Sequence, residues 1–226
     1  MLNISELHLA SIIMDAAALF ILIGMMVYTG IYRKRGHFDD KLFSSLILIT
    51  IIMAASDCVT YVLDGSTVPF SATLSMFCNN VFFIAFELYA GMMAVYMDYR
   101  LKKSDKPYLT RGCIIMIPAV ATSLAIIANN FVNFLFWVDP ATNEYVEYPL
   151  YNIVFIAPFI YAAIVTIAVI KIDASSVWVL ILLILARTFS RHFLQGVSST
   201  AVVFAIGLVF LHLHYMRHPF YEEFDV

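Results

Sequence analysis

The hydrophobic pattern of the chain predicts a membrane protein before any motif is considered. Seven apolar runs follow one another, and only short polar connections separate them. These runs cover residues 9–31, 42–63, 72–97, 110–133, 149–170, 175–193 and 197–216. Each is close to the roughly 20 helical residues that cross a hydrocarbon core about 30 Å thick. The pattern therefore predicts one all-α domain over residues 1–226, a polytopic bundle of seven transmembrane helices.

Polar positions recur at helical spacing within the third run. Asn80, Glu87, Gly91 and Asp98 fall on one face of a helix. Glu87 would lie near mid-membrane, where an ionised carboxylate is costly unless it is paired or hydrated. Small residues such as Gly91 let a neighbouring helix approach closely. We therefore expect this face to point inward and the third helix to occupy the centre of the bundle, lining a polar pocket.

Composition agrees with this class. Hydrophobic residues make up 62% of the chain and charged residues only 13%, whereas soluble globular proteins are about 25% charged. A soluble protein is therefore excluded, and no nucleic-acid partner is expected.

The basic residues of the loops indicate the orientation. Eleven of the thirteen Lys and Arg residues lie in the first, third and fifth connections and the tail, and the second and fourth connections contain none. Short loops rich in Lys and Arg stay in the cytosol, where anionic lipid attracts them. The N-terminus is therefore predicted outside, the C-terminus in the cytosol, and the protein in the plasma membrane as a multi-pass bundle.

The sixth run carries unusual charges. Arg187, Arg191 and His192 are predicted in its outer third. One interpretation is that the arginines extend toward the outer headgroups. The alternative is that Arg187 faces the bundle and pairs with one of three acids, because intramembrane charges usually find a partner there. Those acids are Asp15, Asp57 and Glu87.

The fourth connection is aromatic, acidic and free of Lys and Arg. It includes Trp137, Asp139, Tyr145 and Glu147. These residues fit an interfacial aromatic belt with an external turn at Asp139. They also fit a lid of rings and carboxylates over the bundle, suited to a cationic ligand. Both interpretations hold together.

Three motifs resemble a known family. The third run ends in Tyr96-x-Asp-Tyr-Arg100, an Ile-Pro pair falls early in the fourth, and an aromatic run with Asp, Asn and Tyr leads to Pro149-Leu150. This pattern resembles the seven-helix sensor region of bacterial membrane proteins that usually carry a GGDEF diguanylate cyclase domain after the last helix. The resemblance covers about residues 42–215 and implies sensing at the bacterial inner membrane with a cytosolic output. The family's Arg-Gly before Pro-Leu is replaced here by Glu147-Tyr148.

We therefore expect a sensory receptor that binds a small extracellular ligand in an outer-half polar pocket. The candidate ligand-binding residues are Asp15, Asp57, Asn79, Asn80, Glu87, Trp137, Tyr145, Arg187, Arg191 and His192. The candidate signal-coupling residues, expected to meet the seventh helix near His212, are Tyr96, Asp98, Tyr99 and Arg100. Expected partners are membrane lipid, a cytosolic or fused output domain, and a second copy in a homodimer. No GGDEF motif occurs in the sequence, so neither catalysis nor a cofactor is expected.

Two other functions compete with sensing. A small-solute transporter is disfavoured because no matching pair of Gly/Pro-broken helices marks inverted repeats; Pro158 alone predicts a kink inside the fifth helix. A membrane metal hydrolase is suggested by His214 and His218 at i and i+4. That enzyme would need further ligands in an early helix, and the second run has no histidine.

Overall fold

The computed structural model describes residues 6–32, 38–66, 68–102, 109–172 and 198–216. Within these ranges the chain is mostly helical. The elements are α1 (Glu6–Tyr32), α2 (Phe38–Leu63), α3 (Ser71–Lys102), α4 (Leu109–Val132), β1 (Phe136–Val138), β2 (Tyr145–Glu147), the 3-10 helix η1 (Pro149–Phe155), α5 (Ile156–Ile172) and α6 (Thr200–Met216). Helix α6 corresponds to the seventh predicted run, and the sixth predicted run, 175–193, lies outside the described residues.

The described helices form an apolar bundle. Five stretches are long and apolar enough to span a membrane: α1, α2, α3, α4 and the combination of η1 and α5. Their outer surface is apolar as well, since Phe20, Phe131 and Phe159 are 84%, 85% and 74% exposed. Exposed aromatic rings at this density suit contact with lipid rather than water. The fold is therefore consistent with an all-α membrane bundle.

Helix α3 is the centre of this bundle. It packs against α2, α4 and α5, and it is the most deeply buried of the five spans. The predicted inward face is confirmed for Asn80, Glu87 and Gly91, which are buried, while Asp98 on the same face is partly buried. Phe83 and Phe86 are buried too, although the helical pattern places them on another side. With neighbours on three sides, α3 has more than one inward face.

A tyrosine from α5 completes the hydrogen bonding of α4 beside Pro118. The Tyr161 hydroxyl donates to the Ile115 carbonyl at 2.6 Å and accepts from the Ala119 N–H at 3.0 Å. In a regular helix these two backbone groups would bond directly to each other. The hydroxyl is thus inserted into the helical ladder, a known cause of bending, and it fixes α5 to the middle of α4.

The prediction that Pro158 lies in the interior of the fifth helix is wrong. The fifth membrane segment begins as a 3-10 helix at Pro149 and becomes α-helical only at Ile156. Pro158 therefore lies in the first turn of α5, where no N–H is needed for the helical ladder. The segment changes from 3-10 to α geometry at Ile156, two residues before Pro158.

The connection between α4 and α5 contains a β-hairpin, which the sequence did not predict, around the expected turn at Asp139. Strands β1 and β2 are antiparallel, with Phe136 opposite Glu147 and Val138 opposite Tyr145. The Asp139 carboxylate accepts the Ala141 N–H at 2.8 Å and shapes the turn. Asn143 has a positive φ of 58°, which asparagine tolerates better than most residues.

Candidate functional site

A cavity of about 630 Å³ lies at the end of the bundle that carries the hairpin. Its described walls come from α2, α3, the hairpin, η1, and the start of α6 with the two residues before it. The described lining residues are Asp57, Thr60, Tyr61, Asp64, Ser75, Asn79, Phe82, Phe83, Phe86, Val138, Asn143, Glu144, Tyr145, Glu147, Tyr151, Phe155, Ser198, Ser199 and Thr200. This volume is within the roughly 300–1,000 Å³ of sites for small molecules. We call this end of the bundle the cavity end.

The hairpin forms one wall of the cavity because it is attached to two helices. Asn143 donates its side-chain amide to the Leu63 carbonyl at the end of α2. Buried Asn129, near the end of α4, donates to the Phe136 carbonyl at 2.8 Å and accepts the Phe134 and Leu135 N–H groups at 2.8 and 2.7 Å. These contacts hold a short two-stranded ribbon that would be marginal alone.

Three predicted ligand-binding residues line the cavity: Asp57, Asn79 and Tyr145. Asp57 accepts a hydrogen bond from the Ser198 hydroxyl, and the Asn79 amide nitrogen donates to the Ser75 carbonyl at 2.9 Å. Burial raises the pKa of Tyr145 above its ordinary value. Its phenol is therefore neutral at physiological pH and able both to donate and to accept a hydrogen bond.

Asp15 lies behind this wall rather than in it. It is fully buried on α1, and neither of its carboxylate oxygens has a hydrogen-bond partner among the described residues. It is close enough to Asp57 for their charges to interact. The nearby Ser11 hydroxyl accepts the Ser198 N–H at 3.0 Å. The start of α6 is thereby joined to both α1 and α2 through polar groups.

Three further predicted residues are absent from the described cavity lining. Asn80 points at α4, where its amide donates to the Asn130 side chain at 2.7 Å. Trp137 is the middle residue of β1, and the flanking Phe136 and Val138 are the buried ones. Glu87 is fully buried, and its two oxygens have no partner within the described ranges.

The predicted residues Arg187, Arg191 and His192 lie outside the part of the chain that the structure describes. The prediction that Arg187 pairs with an acid therefore stays a prediction.

The predicted signal-coupling residues lie at the opposite end of α3. Asp98 forms a two-point ion pair with Arg111 of α4, at 2.6 and 3.0 Å. The Arg100 guanidinium lies 5.9 Å from the centre of the Tyr96 ring. The Tyr99 ring meets Phe38 of α2 at 5.1 Å. This end of α3 is thus attached to α2 and α4.

Contact with α6 at this end runs through aromatic rings. His212 stacks on Phe43 of α2 at 5.6 Å and meets the Tyr28 ring of α1 at 5.5 Å. Phe43 in turn lies 6.0 Å from Tyr96 of α3. Tyr96 therefore reaches His212 through an intermediate ring, and Asp98 contacts α4 through Arg111.

Sequence reasoning missed much of the cavity lining, including Ser75, Asn143 and Tyr151. One available signal was the alternation in Tyr145-Val-Glu147, which is typical of a strand with one face toward a core. Tyr145 and Glu147 line the cavity and the intervening Val146 is exposed. The sequence also indicates Ser75, because a residue four positions before Asn79 lies on the same face of the helix.

The described chain is a helical bundle with a polar cavity at one end, and five of its segments are long and apolar enough to span a membrane. No protein-family model matches the chain, and no curated protein or solved structure is significantly similar to it.

Proposed function

We propose that this chain is a sensory receptor of the bacterial plasma membrane. It binds a small extracellular ligand in the cavity and passes the signal to a cytosolic effector, which the motif resemblance suggests is of the diguanylate cyclase type. One observation carries the proposal: α3 lines the cavity through Ser75, Asn79 and Phe86 and continues without a break to the contacts of Asp98 and Arg100. Its 32 residues extend about 48 Å at 1.5 Å per residue.

The mechanism needs a ligand that binds one arrangement of α3 better than another, because a ligand shifts an equilibrium only by its differential affinity. At the cavity end α3 offers side chains that contact the ligand. At the other end a small displacement of α3 changes the Asp98–Arg111 ion pair and the ring contacts of Tyr96 and Tyr99. A rigid helix that contacts the ligand at one end, and α2 and α4 at the other, is sufficient to transmit a displacement from the cavity to the far end of α3.

The proposed orientation places the cavity outside the cell. Reporter fusions after Asp105 are expected to be active as cytosolic fusions, and fusions after Asn143 as external ones. The reason is that the connection between α3 and α4 is basic while the hairpin connection has no Lys or Arg. The measurement is paired alkaline phosphatase and green fluorescent protein activity. Opposite results at both positions would place the cavity on the cytosolic side and contradict extracellular sensing.

Signal transfer along α3 is tested with a dye. A small-metabolite library is first screened for compounds that stabilise the purified protein, since a ligand at 100 times its Kd adds about 2.7 kcal/mol. An environment-sensitive dye is then placed on Leu101→Cys in a background without Cys58, Cys78 and Cys113. We expect each stabilising compound to change the emission, because Leu101 lies at the far end of α3.

Two controls make this result specific. The same dye on Leu213→Cys, in α6, reports general changes of the bundle. Glu87→Gln is expected to retain compound binding and to lose the emission change at Leu101→Cys. Unchanged emission at saturating compound would show that α3 is a static scaffold and would overturn the proposed coupling.

A small-solute transporter is the second candidate, and buried Glu87 favours it. An intramembrane carboxylate without a hydrogen-bond partner in the described part of the chain is typical of proton relays in transporters. Proteoliposomes with an imposed proton gradient distinguish the two functions. Accumulation of a stabilising compound that Glu87→Gln abolishes would support transport, and binding without accumulation would support the receptor.

A further inference from the structure

The cavity wall is acidic. Asp57, Asp64, Glu144 and Glu147 all belong to it, and the described lining contains neither Lys nor Arg. His8 lies 3.3 Å from Asp64, so this acid has a cationic neighbour when the histidine is protonated. The other three acids come from α2 and the hairpin and thus face the cavity from two sides. A ligand with positive charge would be attracted by this wall, while an anion would be repelled by it.

The same wall has buried polar atoms without partners. Ser75 and Asn143 are only 4% and 2% exposed. Within the described chain, the Ser75 hydroxyl, the Asn143 side-chain oxygen and the Tyr145 hydroxyl have no hydrogen-bond partner. Buried polar groups are almost always hydrogen-bonded, so a ligand or water must complete them. All three accept hydrogen bonds, and the Asn143 oxygen can only accept. A hydrogen-bond donor is therefore the better complement.

Aromatic rings supply the rest of the wall. Tyr151 is the centre of this group, with Phe83, Tyr145 and Phe155 at 5.7, 6.4 and 5.4 Å from it. Phe86 extends the group, 6.2 Å from Phe155. Ring faces attract cations, and quaternary ammonium groups are commonly bound in aromatic cages. Acids, unpaired acceptors and rings thus favour one ligand chemistry.

We propose that the cavity binds a small organic cation, either a protonated amine or a quaternary ammonium compound. Its charged group lies beside Glu144 and Glu147 of the hairpin, and its apolar part lies against the rings around Tyr151. A protonated amine also donates to Ser75 and Asn143. This inference rests on the proposed function only in taking the cavity as the ligand site. A carboxylate or phosphate ligand would leave the acceptors unpaired.

The test uses matched probes on the full chain in detergent. Phenethylamine, phenethyl alcohol and hydrocinnamate share a ring and a similar length but are cationic, neutral and anionic. Binding of choline is compared with binding of 3,3-dimethylbutan-1-ol, in which a carbon atom replaces the charged nitrogen. Binding is measured by calorimetry and by the shift in melting temperature. We expect at least one of the two cations to bind at least tenfold more tightly than its neutral counterpart, and hydrocinnamate not to bind.

Two isosteric variants locate the charge. Glu147→Gln is expected to weaken binding of the cation at least tenfold, because it removes a charge from the cavity wall and keeps the shape of the side chain. Asp139→Asn is the control, because Asp139 is an acid of the hairpin turn outside the described cavity lining, and it is expected to leave affinity unchanged. If Glu147→Gln does not fold, Glu144→Gln takes its place with the same expected loss.

The outcomes separate this inference from the proposed function. Equal binding of the neutral probes, tighter binding of hydrocinnamate, or no binding of either cation overturns the cation inference. In each of these cases a metabolite that changes the Leu101→Cys emission would keep the receptor proposal intact. Conversely, a cation whose binding Glu147→Gln weakens, and which does not change that emission, supports the ligand class and contradicts the receptor.

Discussion

Asn129→Ala is expected to lower the free energy of unfolding by about 3 kcal/mol or more. The Asn129 side chain is fully buried and satisfies three backbone groups: the N–H groups of Phe134 and Leu135 and the carbonyl of Phe136. Leu135 and Phe136 are themselves fully buried. A buried polar group that loses its partner costs about 1–3 kcal/mol. Removing this one amide therefore removes the attachment of β1 to α4 and leaves three buried backbone groups without that partner.

Asn130→Ala provides a matched control one residue along the chain. Asn130 is exposed, and its side chain bonds to Asn80 and to a carbonyl of its own helix. Its loss is expected to cost about 1 kcal/mol, the usual net value of one hydrogen bond. Thermal unfolding in detergent gives the two values, and Trp137 fluorescence in a Trp178→Phe background reports the hairpin directly. Equal effects of the two substitutions would mean that Asn129 does not support the hairpin.

The bundle and the central place of α3 could be predicted from the sequence. Bilayer thickness fixes the length of a spanning helix, so apolar runs alone gave the approximate bounds of α1, α2, α3 and α4. The inward face of α3 followed from polar and small residues at helical spacing. The seven-helix count and the orientation stay predictions.

The cavity was predictable only in part, because its walls meet through contacts between distant residues. Asn143 reaches Leu63 across 80 positions, and Ser198 reaches Asp57 across 141. No local pattern contains such pairs. Alternation in Tyr145-Val-Glu147 is a local signal for β2, but three residues are fewer than the roughly four to eight over which alternation usually identifies a strand.

Asn79 and Asn80 show the same limit within one helix. Helical geometry separates these adjacent residues by about 100° around the axis, yet it does not say which neighbour each one faces. Asn79 lines the cavity, whereas Asn80 bonds to Asn130 of α4. Both were predicted as ligand-binding residues because both are polar at the right depth. Only the packing of α3 against its neighbours distinguishes them.

Gly91→Leu is expected to destabilise the bundle by about 3 kcal/mol. A Cβ atom at Gly91 would lie 2.7 Å from the Met116 sulfur and 3.1 Å from the Ala119 Cβ, both on α4. The methionine is flexible enough to move. Ala119 is not, because the Tyr161 hydroxyl bonds to its backbone N–H and to the Ile115 carbonyl. A leucine would therefore have to separate α3 from α4, and overpacking of this kind costs about 1–3 kcal/mol or more.

Gly24→Leu is the matched control, because no atom lies within 4 Å of a Cβ atom built at Gly24 of α1. Leucine has the higher helix propensity, by about 1 kcal/mol at most, so this change is expected to leave stability unchanged or slightly increased. Thermal unfolding of both variants in detergent measures the difference. If Gly91→Leu and Gly24→Leu have the same melting temperature, α3 and α4 can separate at Gly91 without a loss of stability. The close approach at Gly91 would then contribute nothing to holding α3 in place, and the rigid transfer of a signal along α3 would lose its structural basis.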